Sequence, residues 1–409
     1  MITKRPLVDF LISNPGHHAA MVKPVITNLV ACGYYCRLLS LCEFRGLDSP
    51  VKMFDQPGIE FIRPVTFQFR SPSSGGQQKR TTGQQWSRRL ARRVGWELLL
   101  KRPLMRVFKQ RPELVVLPND AAFPYDLIVG MLKKAAIPFV LLQEGIRFPL
   151  PGSEEGDAYG LGGAAAIAAW GEGSADYFRS RGVPSETVFA TGSPRFDSIP
   201  DMDFSVQAQQ LKEKLALTDN TLLFLSNPID DQGFCTTQEK MMLVGRFLDG
   251  IKSLFDDPDF RLVIKLHPRE SVEAFEAVAR AQLGQDGDTA DRVTVMGGGY
   301  LYPLFILSRA AIVLASTVGL EALMMNVPLG VLEIPGAGFV YDYVERNAAL
   351  GLSWERPLAE QVSELLTGNN CDKPAVQAYI EYSLSTIGEA ADAVTALIVR
   401  LLQEQDEHI

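Results

Sequence analysis

Short apolar runs that end abruptly in polar residues recur along this chain and alternate with helical patterns. Residues 261–267 read Arg-Leu-Val-Ile-Lys-Leu-His and stop at Pro268, and residues 310–317 read Ala-Ala-Ile-Val-Leu-Ala-Ser-Thr. Runs rich in leucine and β-branched residues are typical of parallel strands that are buried on both faces. The sequence therefore predicts an α/β fold with parallel sheets.

Strands and helices alternate twice, once in each half of the chain. In the first half the predicted strands are Leu7–Ser13, Tyr35–Ser40, Ile59–Arg63, Leu114–Pro118, Phe139–Gln143, Ala165–Trp170 and Val188–Thr191. In the second half they are Thr221–Pro228, Arg261–His267, Val293–Met296, Ala311–Ala315 and Val327–Glu333. We expect two doubly wound, Rossmann-like domains that face a central cleft.

The predicted boundaries follow the composition. Residues 1–197 form an N-terminal acceptor domain, the polar residues 198–220 form a linker, and residues 221–374 form a C-terminal nucleotide-donor domain. Residues 375–409 are C-terminal helices that pack back toward the N-terminal domain. Residues 191–197 are expected to shape the hinge.

Charge and composition exclude several classes of protein. The net charge of −8 argues against a general nucleic-acid binder. The five Cys are scattered without a C-x-x-C pair, which favours a reducing cytoplasm, and no run approaches the roughly 20 apolar residues of a membrane span. Phosphate-loop, dinucleotide and serine-hydrolase motifs are absent, and no His/Cys cluster predicts a metal.

One segment is basic, although the chain as a whole carries a net negative charge. Residues 88–111 carry nine Lys or Arg and a single Glu, interleaved with apolar residues. Such a basic amphipathic stretch is expected either to expose a solvated face or to contact an anionic membrane or acceptor. Pro103 is expected to interrupt it. Peripheral contact with the inner face of the plasma membrane is therefore one expectation for this segment.

In the first half, polar residues follow three predicted strands. Ligands of open α/β sheets bind at this carboxyl edge, so these residues are the candidate catalytic and acceptor groups. Gly16 should allow a tight turn, His17 or His18 could act as a base, and partial burial is expected to raise the pKa of Glu144 toward neutrality. The candidate acceptor or cleft residues are Gly16, Asn119, Asp120, Gly145 and Arg147.

In the second half, the ends of two strands predict a phosphate or nucleotide pocket. Pro268 stops the first strand beside His267, and Ser316-Thr317 precede a helix whose free N–H groups favour an anion. Glu321 is either a dipole partner of that helix or an acceptor for ribose hydroxyls. The candidate nucleotide-binding residues are Lys265, His267, Pro268, Arg269, Ser316, Thr317, Gly319 and Glu321.

Three short motifs in this order resemble those of GT-B glycosyltransferases. Glu144-Gly145, His267-Pro268 and Ser316-Thr317 are similar to the acid-Gly, His-Pro and Ser/Thr motifs of bacterial sialyltransferases, polysialyltransferases and capsule Kdo-transferases. Gln143 stands where a second acid is common in those families. The resemblance implies that Glu144 is the base, that His267 binds the donor phosphate, and that Ser316 and Thr317 hold phosphate at the helix start.

The implied function is an inverting, metal-independent glycosyltransferase that needs no cofactor. Its partners would be a nucleotide-sugar donor, with a CMP-sugar slightly favoured, and a glycan or lipid-linked acceptor. Residues 143–147 and 117–120 also resemble strand ends of the non-hydrolysing UDP-N-acetylglucosamine 2-epimerases. An epimerase, a CDP-glycerol-type phosphotransferase and a non-catalytic binding protein therefore remain alternatives.

Overall fold

The computed structural model describes residues 6–65, 93–146, 158–284, 289–368 and 372–406. Within these ranges the chain divides into two units. Unit 1 contains residues 6–65, 93–146, 158–201 and 381–406, and unit 2 contains residues 202–284, 289–368 and 372–380. No helix in the described ranges is long and apolar enough to span a bilayer.

Unit 1 is built on a parallel sheet of seven strands. They are β1 (Leu7–Ile12), β2 (Tyr35–Ser40), β3 (Ile59–Ile62), β4 (Leu114–Leu117), β5 (Phe139–Leu142), β6 (Ala166–Ala169) and β7 (Val188–Ala190). Their order in the sheet is β3-β2-β1-β4-β5-β6-β7. Every residue of β1, β4, β5 and β6 is buried, which explains their continuous apolar sequences. The strand order reverses between β1 and β4, and ligands of such sheets bind at that switch point.

Twelve helices accompany the strands in the described ranges. They are α1 (His17–Ala31), α2 (Lys101–Phe108), α3 (Tyr125–Lys134), α4 (Glu172–Ser180), α5 (Ser205–Leu215), α6 (Thr237–Gly250), α7 (Val272–Leu283), α8 (Leu301–Leu307), α9 (Val318–Met324), α10 (Leu358–Thr367), α11 (Lys373–Ser383) and α12 (Ala390–Asp406).

The C-terminal helix α12 completes the core of unit 1. Its buried side chains Val394 and Ile398 share one apolar cluster with residues of β1 and α1. Asn28 Nδ2 of α1 also donates to Asp392 Oδ1 at 2.6 Å. The chain reaches this position through a close backbone contact, because a Cβ on Gly171 would lie 2.4 Å from the carbonyl oxygen of Tyr382. Helix α12 is therefore part of the fold of unit 1.

Unit 2 repeats the same strand order with six parallel strands. They are β8 (Thr221–Leu225), β9 (Arg261–Lys265), β10 (Val293–Met296), β11 (Ala310–Val313), β12 (Leu329–Leu332) and β13 (Leu350–Leu352). The order β10-β9-β8-β11-β12-β13 reverses between β8 and β11. At this point Asn227 Nδ2 donates to the carbonyl of Ala315 at 2.6 Å and joins the ends of the two strands. Each unit is thus a Rossmann-like domain with its own switch point.

Several sequence-based expectations differ from the structure. The predicted linker 198–220 is wrong beyond Asp201, because α5 belongs to unit 2 and buries Ala208 and Leu211. The C-terminal helices are α11, which ends at Ser383, and α12, which starts at Ala390. Pro103 does not interrupt the basic stretch. The helix passes through the π-helical turn Trp96–Leu100 and continues as α2, of which Pro103 is the third residue.

Candidate functional site

The polar residues predicted in the first half meet at the carboxyl edge of the unit 1 sheet. His17 and His18 open α1 directly after β1, Asn119 follows β4, and Glu144 follows β5. These three strands are neighbours and include the switch point between β1 and β4. Four side chains from distant parts of the sequence are therefore brought to one place.

The Glu144 carboxylate is held at both oxygens. His18 Nε2 lies 2.8 Å from Oε2, and Asn119 Nδ2 donates to Oε1 at 2.6 Å. The Asn119 amide cannot turn around freely, because its Oδ1 already accepts the backbone N–H groups of Ala121 and Ala122. The side chain of Glu144 is 27% exposed, so a ligand can still reach it.

Hydrogen bonds to the far ring nitrogens fix the tautomers of both histidines. The N–H of Ser13 donates to His18 Nδ1 at 3.2 Å, so the ring proton of His18 is on Nε2 and points at Glu144. Arg195 donates to His17 Nδ1 at 2.8 Å, and His17 Nε2–H donates to the carbonyl oxygen of Glu144 at 2.5 Å. Both imidazoles are therefore neutral hydrogen-bond donors.

The pKa of Glu144 moves in the direction opposite to the sequence-based expectation. Burial raises the pKa, but the hydrogen bonds from His18 and Asn119 together lower it below its usual value. The expectation of a raised pKa was wrong because these donors favour the ionised form. Burial, and next the charge of Arg195, lower the pKa of His17 to about 4.

The lowered pKa of His17 predicts how the stability of the protein responds to acid. A histidine whose folded pKa is about 4 and whose unfolded value is 6.5 stabilises the fold fully above pH 6.5 and progressively less as the pH falls toward 4. We expect this contribution to the free energy of unfolding to fall by about 2 kcal/mol between pH 7 and pH 5. Denaturant unfolding at the two pH values measures it.

The matched control for that measurement is His17→Gln, which cannot titrate. Burial raises the pKa of Asp9 to about 6, which acts in the opposite direction, but that residue is common to both proteins and cancels in the comparison. The parent protein should lose more stability than the variant on acidification. Equal losses in both proteins would show that His17 does not carry the effect.

The other candidates in unit 1 have different outcomes. Asp120 accepts the N–H groups of Gly160 and Gly162, so its carboxylate holds a turn and does not serve as a free acceptor contact. Gly16 has a φ of −92°, which any residue can adopt, so a glycine is not required there. Gly145 follows Glu144 with open space at its Cβ position. Arg147 lies outside the described residues.

Sequence reasoning missed three residues that support this cluster. Asn14 Oδ1 accepts the N–H groups of Gly16 and His17 and so fixes the entry into α1. The Tyr159 hydroxyl donates to the carbonyl of Pro118 and accepts the N–H of Glu144. Arg195 lies in the segment assigned to a hinge. Only Asn14 had a sequence signal, since an Asn side chain in a turn commonly accepts backbone N–H groups two or three residues on.

The second set of candidates lies at the carboxyl edge of the unit 2 sheet. His267 follows β9 and Ser316-Thr317 follow β11, and both strands are neighbours of β8. The strands β9 and β11 are two positions apart in the sheet, so the backbones at their ends are roughly 10 Å apart. The N–H of Arg269 donates to His267 Nδ1 at 3.2 Å, and burial lowers the pKa of the ring, with a further contribution from the charge of Arg269. His267 is therefore a neutral imidazole with its proton on Nε2.

A buried tyrosine braces the start of α9. The Tyr343 hydroxyl accepts the N–H of Leu320 and donates to the carbonyl of Ser316, both at 3.1 Å. Ser316 Oγ accepts the N–H of Val318 at 3.3 Å, while Thr317 makes no side-chain cap. The two hydroxyl side chains remain partly exposed at the helix start.

Two nucleotide-binding candidates have structural roles instead. A Cβ on Gly319 would lie 2.9 Å from Cζ of Tyr343, so this glycine makes room for the buried ring. Glu321 is 1% exposed, and its Oε2 accepts the hydroxyl of Tyr302 at 2.6 Å. A ribose hydroxyl has no access to a carboxylate buried in this way. The expected ribose contact of Glu321 is therefore replaced by an internal one.

A buried charge network beneath His267 was not predicted. Glu270 accepts hydrogen bonds from the N–H of His267, from Ser226 Oγ and from Lys240 Nζ. Lys240 also lies 3.4 Å from Asp230, and its side chain is 2% exposed. The network ties α6 to the ends of β8 and β9. It fixes the loop that carries the His-Pro pair.

The remaining cationic candidates flank this loop. Lys265 Nζ donates to the carbonyl of Leu266, and burial lowers its pKa. Arg269 is 55% exposed in its side chain and contacts Asp231 at 3.1 Å, and Pro268 is exposed beside it. Of the two predicted cations, Arg269 is thus the one that reaches solvent. The described part of the chain contains no cluster of His, Cys, Asp or Glu suited to a metal ion.

A separate groove of about 800 Å³ lies at the opposite edge of the unit 2 sheet. It is lined by residues that precede the strands, among them Asn220, Phe260 and Arg309. Several of its polar groups already bind one another, as in the pair Lys212–Asp219 at 2.7 Å. Open α/β sheets bind ligands at the other edge, so we do not place the site here.

Two Rossmann-like domains, each with polar residues at its switch point, define the GT-B class of fold. Comparison with known proteins agrees with this class. Residues 248–387, about a third of the chain, match the family described as capsule polysaccharide biosynthesis protein. No curated protein matches the chain by sequence.

Solved structures share the fold at low sequence identity. UDP-GlcNAc 2-epimerase from Neisseria meningitidis, solved with UDP-GlcNAc, aligns with a TM-score of 0.61 and 16% identity, covering 98% of this chain and 100% of that one. A glycosyltransferase from Rickettsia africae aligns at 0.56 and 10%, covering 98% of both chains. The wall teichoic acid polymerase TagF aligns at 0.54 and 13%, covering 99% of this chain and 90% of its own. At these identities the similarity establishes the fold only.

Proposed function

We propose that this protein is an inverting glycosyltransferase that moves a sugar from a nucleotide-sugar donor to a surface-glycan acceptor. One observation carries the proposal. Glu144 is an ionised, partly exposed carboxylate, fixed by His18 and Asn119 at the switch point of the unit 1 sheet. An ionised carboxylate at this edge of the sheet is available to accept a proton from a hydroxyl group. The family match over residues 248–387 supports a role in capsule polysaccharide synthesis.

In the proposed reaction Glu144 is the base. The acceptor hydroxyl oxygen attacks the anomeric carbon, its proton passes to Glu144, and the bond from that carbon to the phosphate oxygen of the donor breaks. The histidines are poorer candidates, because Nδ1 of each ring already accepts an N–H and Nε2 already carries a proton. Their proposed role is to orient the Glu144 peptide and carboxylate.

Unit 2 would hold the nucleotide. The Nε2–H of His267 and the hydroxyls of Ser316 and Thr317 are proposed to bind the donor phosphate, and the exposed guanidinium of Arg269 to offset its charge. Neutral and cationic donors of this kind stabilise the negative charge that develops on a leaving phosphate. The Neisseria enzyme, whose structure contains UDP-GlcNAc, shows that this fold accommodates a nucleotide-sugar. A CMP-sugar is the proposed donor, and no metal is required in the proposal.

Two other reactions fit the same fold. Fold similarity to the Neisseria epimerase keeps a nucleotide-sugar epimerase as the second candidate. The CDP-glycerol-type phosphotransferase that the sequence left open is the third. An epimerase converts its substrate without an acceptor, whereas a transferase releases nucleotide only when an acceptor is present. A phosphotransferase differs in releasing CMP from a CDP-linked donor.

The test is nucleotide release from CMP-, UDP-, GDP- and CDP-linked donors. Each donor is incubated with the protein with and without a capsule-type glycan acceptor, in buffer containing EDTA. We expect acceptor-dependent release of CMP from a CMP-sugar, and loss of that release in His267→Ala. Conversion of a UDP-sugar without an acceptor would favour the epimerase, and no turnover of any donor would contradict the proposal.

A further inference from the structure

The described part of the basic segment, residues 93–108, forms a helix that packs on unit 1. Residues 93–95 are helical, residues Trp96–Leu100 form a π-helical turn, and α2 continues to Phe108. Every fourth residue is buried in the same apolar cluster, which contains Trp96, Leu100, Leu104 and Phe108. These side chains anchor the helix. Among the described residues, the side chains on the opposite face do not join the apolar cluster.

That opposite face carries apolar side chains in solvent. Leu98 is 71% exposed, Val94 is 46% exposed and Met105 is 45% exposed. Their spacing of four and seven residues places them along one side of a helix. Scattered single apolar residues are common on protein surfaces, but an aligned set on a basic helix indicates a binding surface.

The charge of the segment that carries this face is opposite to that of the whole protein. Residues 93–111 contain six Lys or Arg and one Glu, a net charge of +5, whereas the chain carries −8. The single acid, Glu97, is paired with Lys101 at 2.7 Å. The other cations are exposed: Arg93, Arg102, Arg106, Lys109 and Arg111. A cationic face of this kind on an acidic protein attracts an anionic partner while the rest of the surface repels it.

We propose that this face, Val94, Leu98 and Met105 with the surrounding cations, docks on the surface of a bilayer that contains anionic lipid. Apolar side chains would enter the boundary between head groups and acyl chains, and the cations would contact lipid phosphates. The exposed apolar side chains favour a bilayer over a soluble acidic polymer, because such a polymer has no apolar interior in which Leu98 could be buried. This inference is independent of the proposed activity.

Vesicle co-sedimentation of the full chain tests it. We expect binding to vesicles of 70% phosphatidylcholine and 30% phosphatidylglycerol, and weak or no binding to pure phosphatidylcholine. Each cation near the membrane surface is expected to strengthen partition to the vesicles about fivefold. The double variant Arg102→Gln/Arg106→Gln, which removes two cations, should therefore weaken partition by about 30-fold. Leu98→Glu should weaken it by at least about tenfold, since an apolar anchor is replaced by a like charge. Both variants alter exposed positions, so the fold should be kept.

The matched control is Met242→Glu, which adds the same charge at a residue of α6 that is 65% exposed. This variant should bind vesicles like the parent protein. The proposal is overturned if the parent does not bind, if it binds neutral vesicles equally, or if Leu98→Glu binds as well as Met242→Glu. It is also overturned if the parent is a dimer that Leu98→Glu dissociates, because the face would then be an interface between copies of this chain.

Discussion

Glu144→Gln should lower the turnover number by about a thousandfold, within the range that a general base contributes. An amide has the size of the carboxylate but no basic lone pair to accept the proton of the acceptor. The KM for the donor should change little, because the residues proposed to bind the nucleotide are in unit 2. Steady-state kinetics with the donor and acceptor identified by the release assay measure both quantities.

The matched control for Glu144→Gln is Glu113→Gln. Glu113 is a second carboxylate of unit 1, which accepts the N–H of Leu7 at 2.5 Å at the amino end of β1. Its replacement should leave the turnover number within about twofold, since it is at the other edge of the sheet from the site. If Glu144→Gln keeps more than a tenth of the parent turnover while remaining folded, Glu144 is not the base.

Lys240→Met should destabilise unit 2 by about 3 kcal/mol, because removing one partner of a buried ion pair leaves an uncompensated charge. The change removes the cation that binds Glu270 and Asp230, and all three side chains are almost completely buried. The free energy of unfolding, measured by denaturant titration, gives the loss. A less stable loop at His267 should also weaken nucleotide binding.

A double variant separates the ion pair from simple loss of packing. In Lys240→Met/Glu270→Gln the buried charge at position 270 is also removed, and we expect part of the lost stability to return. Together with the parent protein and Lys240→Met, the single variant Glu270→Gln completes a double-mutant cycle. If the two single effects simply add, Lys240 and Glu270 do not interact energetically, and the network does not hold the His267 loop as described.

The sequence was sufficient for most of the sheet architecture. Parallel strands buried on both faces have continuous apolar sequences, and β2 and β10 were predicted with their observed bounds. The strand β13 was missed because Leu350-Gly-Leu352 is too short to form a pattern. The helix α5 was assigned to a linker because its sequence is mostly polar. Only two of its side chains, Ala208 and Leu211, are buried.

The site was predictable in its positions but not in its electrostatics. Polar residues at strand ends identified Glu144 and His267, since a sheet edge gathers such residues. The lowered pKa of Glu144 depends on His18, which is 126 residues away in the sequence and reaches the carboxylate only in the folded chain. Lys240 and Glu270 likewise meet only through the packing of α6 on the sheet. No local pattern reports contacts of this kind.

Nucleotide binding by two single variants tests the central claim most directly. The claim is that the carboxyl edge of unit 2 binds the nucleotide and that Glu144 in unit 1 serves only the chemical step. Calorimetric titration with CMP, CDP and UDP should show binding of at least one nucleotide to the parent protein. His267→Ala should weaken it by at least about tenfold, the scale of a hydrogen bond to a charged group, while Glu144→Gln leaves it within twofold. Unchanged affinity in His267→Ala, or no binding of any nucleotide to the parent, would contradict the account.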